Sequence, residues 1–104
     1  MSKALDLSLF MKQTLDITMP NGEILHIKKP SQKMVVKLMA FQDIEPDKAW
    51  TAMDDLCLCI LNENKEGKQF TTEELDEDFD WVMKSAVVQA YSEFIQELQS
   101  NPNS

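Results

Sequence analysis

The chain has no arginine; all ten of its basic residues are lysines. Forked contacts to phosphates and to guanine edges favour the guanidinium group. With a formal charge of −8, nucleic-acid binding is not expected. Glycine is almost as scarce, with only Gly22 and Gly67. A phosphate-cradling loop needs several glycines to present its backbone N–H groups, so nucleotide-binding motifs are excluded. His26 is the single histidine, and no motif supplies it with a nucleophile, a carboxylate partner or further metal ligands. It is read as a surface or rim residue of a strand. Cys57 and Cys59 are the only cysteines. Two apart on a predicted helix, they point to nearly opposite sides, which disfavours a shared metal ion or a disulfide. Small core or boundary thiols are expected there. No catalytic residue, metal or cofactor is therefore assigned, and the chain is read as not an enzyme. Long apolar runs are missing too, and Met1-Ser2-Lys3-Ala4-Leu5-Asp6 lacks a signal-peptide core. The expectation is a soluble intracellular protein with no membrane partner.

What is present is enough for one domain. The chain has 104 residues, 43% of them hydrophobic, and a single α+β domain over residues 1–100 is predicted. Asn101-Pro102-Asn103-Ser104 is read as a disordered tail. Charge is polarised along the chain. Residues 1–48 hold seven lysines against six acids, whereas residues 49–104 hold three lysines against twelve acids. Such polarity can steer a chain toward a basic partner or promote head-to-tail stacking; its commoner role is solubility.

Leu5, Leu7 and Leu9 alternate with polar residues, as in an extended arm or short strand, though Leu5 and Leu9 also fit a helical turn. Leu15-Asp16-Ile17-Thr18-Met19 has a clear period of two, Pro20-Asn21-Gly22 follows, and Glu23-Ile24-Leu25-His26-Ile27-Lys28 returns. This predicts a β-hairpin, with Asn-Gly supplying positive φ angles and Leu15, Ile17, Met19, Leu25 and Ile27 on one apolar face. A lone hairpin is marginal in water, so helices must cover that face.

Three helices are predicted, the last the longest. The first runs from about Gln32 to Phe41 with Ser31 as N-cap. Its apolar residues, Met34, Val35, Val36, Leu38, Met39 and Phe41, cover more than half the circumference. Either it is sandwiched, or part of it, such as Val36, faces a partner. The second spans about Asp47 to Leu61 after Pro46. Ala49, Met53, Leu56 and Ile60 form its stripe, widened by Trp50, Ala52 and Cys57, with Leu58 left outside. The polar loop Asn62–Lys68, closed by Gly67, is expected to be the most mobile segment. Thr71 and Glu74 form a capping box, with Phe70 and Leu75 as a hydrophobic staple. Six acids between Glu73 and Asp80 lack the sheltered asymmetry of a catalytic pair and the spacing of a calcium loop, so they are read as a solvated helix start. The terminal helix, about Asp80 to Ser100, carries Met83, Ala86, Val87, Ala90, Tyr91, Phe94 and Leu98 as a stripe, extended by Val88 and Ile95. Self-association is expected through Val88, Tyr91 and Ile95; Val36 and Leu58 complete the predicted protein-interaction residues. Seven methionines add slightly to the case for adaptable apolar contacts.

The order of features carries a resemblance. An apolar arm, the hairpin around Pro20-Asn21-Gly22, Lys29-Pro30-Ser31 opening a helix, and Phe70-Thr71-Thr72-Glu73-Glu74-Leu75 before an amphipathic helix with Tyr91, Phe94 and Ile95 resemble tail assembly chaperones of long-tailed bacteriophages of Gram-positive bacteria. The resemblance implies a non-enzymatic protein of the host bacterial cytoplasm, absent from the mature virion. Such a protein binds the tape measure protein, helps recruit tail tube subunits and commonly forms homo-oligomers. Many such chaperones also have a longer frameshifted form. No binding residue is carried over. A second class, an acidic inhibitor or DNA mimic acting on a host factor, fits the acidic C-terminal half. Its carboxylates crowd into one helix start, however, and do not spread at phosphate-like spacing. An enzyme built around His26 ranks third.

Overall fold

The computed structural model describes residues 13–100. The N-terminal arm at Leu5, Leu7 and Leu9 and the tail at Asn101–Ser104 lie outside the described residues. Within them the order is β1 (Thr14–Thr18), β2 (Ile24–Lys28), α1 (Gln32–Gln42), a short 3-10 turn (Pro46–Lys48), α2 (Ala49–Leu61), α3 (Thr72–Asp78) and α4 (Trp81–Ser100). This is the α+β architecture predicted: a hairpin packed on helices, with the C-terminal helix longest.

The two strands pair antiparallel with Leu15 opposite Ile27 and Ile17 opposite Leu25. That register puts the alternating apolar residues on one face. Leu25 and Ile27 are fully buried, Met19 is nearly so, and Leu15 and Ile17 pack against the core's edge. The turn departs from the expectation. The Gly22 N–H donates to the Met19 carbonyl (2.8 Å) and the Met19 N–H to the Glu23 carbonyl (2.6 Å), leaving Pro20, Asn21 and Gly22 as a three-residue loop. Only Gly22 has positive φ (+90°). Pro20 explains this: a two-residue loop at Asn21-Gly22 would need Pro20 to donate the closing bond to Glu23, and proline has no N–H, so the bond falls to Met19.

α2 is the hub. Met53, Leu56, Cys57, Ile60 and Leu61 are all buried, facing β2 on one side and α4 on the other. Trp50 meets Trp81 and Asp54 meets Lys84, so α2 and α4 run side by side in the same direction. α1 packs antiparallel to α2: Lys37 pairs with Asp55 (3.0 Å), while Ser31 and Met34 at the start of α1 lie near Asn62 and Glu63 at the end of α2. Leu58, expected to stand outside the stripe, is half-buried against the core.

Among the described residues four α-helices form where three are predicted. Thr71 and Glu74 make the capping box reciprocally, but the helix it opens stops at Asp78. Phe79 leaves helical geometry, with φ −123° and ψ 128°, and buries its ring. Asp80 then starts α4 afresh, its side chain accepting from the Met83 N–H (2.9 Å). Burial of Phe79 and repulsion among closely spaced carboxylates both favour the break.

Lys84 ties this arrangement together. Its side chain is only 9% exposed, and its ammonium lies 2.8 Å from Asp76 on α3 and 3.0 Å from Asp54 on α2. The hydrogen bond to Asp76 and the Asp54 charge raise its pKa despite burial. Both carboxylates stay partly solvated, which limits the worth of the clamp. Lys84→Ala is expected to cost about 2 kcal/mol, and Lys84→Met, which keeps the packed stem, about 1 kcal/mol. Urea unfolding of the two variants checks the ordering; equal losses would show that packing contributes nothing.

Candidate interaction surfaces

Apolar surface that a fold leaves uncovered is where another molecule can dock. Three such places lie on the helices and the hairpin.

The first is the outer side of α1. Met34 and Leu38 point inward and are buried, while Val36 and Met39 are 59% and 63% exposed. Ala40 is exposed beside them. The arc of apolar residues is wider than its one packed side, because among the described residues α1 rests mainly on α2. Val36 therefore lies on the surface.

The second is a groove of about 360 Å³ between β1 and α4, walled by Ile17, Pro20, Phe79, Met83, Val87 and Ala90. It exists because α4 carries small residues, Ala86 and Ala90, where it passes the strand. Met83 is 42% exposed at its rim.

The third is a pair of tryptophans at the matching ends of α2 and α4. Trp50 and Trp81 stand edge to face, with ring centroids 6.0 Å apart and planes at 88°. Each is about three-fifths exposed, and Val82 beside them is 53% exposed. Trp50 had been assigned to the core stripe of α2, and Trp81 had no role. A usable signal was present: each tryptophan occupies the first turn of its helix, just after an acidic break.

The other predicted contact residues are elsewhere. Val88, Tyr91 and Ile95 are buried, Tyr91 completely. They cannot offer a surface for self-association, and that expectation is corrected. α4 lies between α2 and the hairpin, so a wide apolar arc is what its packing requires. Leu58 is half-buried and part of no exposed patch.

No known protein family, curated protein or solved structure matches the chain.

The polar residues support structure. His26 Nδ1 lies 2.6 Å from Glu66 Oε2, and its backbone N–H donates to Glu66 Oε1 (3.0 Å). The contact with Glu66 and the nearby Asp16 charge raise the His26 pKa; the His26 backbone and ring bonds lower that of Glu66. Both side chains are partly exposed, and the pair latches the loop after α2 onto β2. Cys57 is buried, which pushes its thiol up to about 12, and Cys59 is half-buried. Both are free thiols. Among the described residues no three His, Cys, Asp or Glu side chains group to hold a metal ion, and no helix is long and apolar enough to cross a membrane.

Proposed function

We propose that the chain is a non-enzymatic binding protein, a phage tail assembly chaperone. In this role it engages apolar helical stretches of the tape measure protein and helps bring in tail tube subunits. One observation carries the reading: an acidic domain with a net charge of −8 leaves large apolar side chains exposed on three of its helices, Val36 and Met39, Trp50, and Trp81 with Val82. Binding proteins that shield helical clients use shallow apolar surfaces of this kind, with charge around them for solubility. The layout of arm, hairpin, capping box and amphipathic helix adds the resemblance to the chaperones named above.

Coexpression tests it. The tape measure protein encoded in the same genome, produced with this chain, is expected to gain soluble yield and to copurify with it. Unchanged solubility together with no copurification would overturn the proposal.

A further inference from the structure

The Trp50–Trp81 pair has a chemistry of its own. Two edge-to-face indoles, each about three-fifths exposed, present on the order of 300 Å² of aromatic surface, taking roughly 250 Å² for a whole tryptophan side chain. Patches of that size on a small domain are often functional. Carboxylates flank the pair in sequence: Asp47 before Trp50, and Asp78 and Asp80 before Trp81. Asp47 and Asp78 are exposed and form no ion pair with any described residue. Of the nearby cations, Lys84 is held by Asp54 and Asp76, while Lys48 makes a loose, exposed pair with Glu45 (4.0 Å) that offsets one carboxylate. The two indoles are thus bordered along the chain by acidic residues, which make up the acidic rim of this face.

That combination selects among occupants. An anionic membrane or a nucleic acid would meet the rim with like charge. A second copy docked about a two-fold axis would set one acidic rim against another. A cationic segment gains twice, from the rim carboxylates and from the indole faces, which attract guanidinium and ammonium groups. We infer that the Trp50–Trp81 face docks a protein segment that carries arginine or lysine beside apolar residues. This builds on the binding reading above and names the chemistry of the partner. Its test needs no tape measure protein, so failure of one does not decide the other.

These are the chain's only tryptophans, so intrinsic fluorescence reports on this face alone. The probe is a short synthetic amphipathic helix of arginine and leucine, with a control in which glutamate replaces arginine. The arginine peptide is expected to shift emission to the blue saturably, and the glutamate peptide to leave it unchanged. Raised salt should weaken binding. Trp81→Ala, followed through Trp50, should weaken it by about tenfold or more. Exchanging both Asp47 and Asp78 for Asn should weaken it about threefold. Circular dichroism checks that each variant folds. If Trp81→Ala unfolds, the Asn exchanges at the two exposed aspartates carry the test. Equal binding of both peptides, affinity unchanged in every folded variant, an equal shift with anionic vesicles, or a shift produced by the protein's own concentration would each overturn the inference.

Discussion

Asn64→Ala is expected to lower the stability of the domain by about 3 kcal/mol, because three short hydrogen bonds converge on one buried amide. Asn64 is 3% exposed. Its Nδ2 donates to the Leu61 carbonyl (2.7 Å) and the Lys68 carbonyl (2.8 Å), and its Oδ1 accepts from the Lys68 N–H (2.9 Å). Alanine would leave these backbone groups short of partners where water has poor access. Domains of this size are stable by only about 5–15 kcal/mol, so the loss is a large fraction. Urea denaturation should show the midpoint falling with an unchanged slope. A loss below about 1 kcal/mol would mean that water replaces the amide.

The consequence reaches the hairpin. Asn64 bridges to Ile27, the Lys28 N–H donates to the Glu63 carbonyl, and the Lys65 N–H donates to the His26 carbonyl, both at 2.8 Å. The segment after α2 therefore covers the edge of β2 that β1 leaves open. Loosening it exposes an unpaired strand edge, a template for aggregation. The same variant is accordingly expected to aggregate at a lower temperature, by more than its stability loss alone would give.

This loop also marks where sequence reasoning stops. A run of polar residues closed by glycine reads as mobile. Instead, Asn62 and Asn64 use their amides to staple it, Asn62 through both backbone groups of Phe70. Side-chain amides that bond to backbone across three to eight residues leave no periodic trace. The hairpin face was legible because its period of two is local. The capping box was legible because it is a four-residue pattern, Thr71 to Glu74. The split between α3 and α4 was not, since it depends on the Phe79 ring finding a place in the core. For the surfaces, periodicity gave the width of each apolar arc but not how many neighbours would cover it. α1, packed mainly on α2 among the described residues, leaves Val36 and Met39 bare; α4, between α2 and the hairpin, buries Val88 and Ile95.

Tyr91 is where core and interface assignments give opposite results. It is fully buried, and its hydroxyl is the buried side-chain polar atom without a hydrogen-bond partner among the described residues. Burial pushes the phenol well above its ordinary pKa, with the Glu63 and Cys59 charges adding to the effect. The ring fills space between α4 and its neighbours while the oxygen forfeits its hydration. Tyr91→Phe removes only the oxygen and is expected to stabilise the domain by about 1 kcal/mol, raising Tm by roughly 4–8 °C. Tyr91→Ala removes the ring as well and is expected to cost about 4 kcal/mol. Thermal unfolding of both variants, read beside light scattering, separates the two roles. A contact residue between copies would leave the monomer's stability alone and change the mass of the particle. A core residue moves Tm in opposite directions for the two variants at constant mass. Loss of stability in Tyr91→Phe would show that the hydroxyl does find a partner, and Glu63, whose charge acts on the phenol, is the residue to test for it.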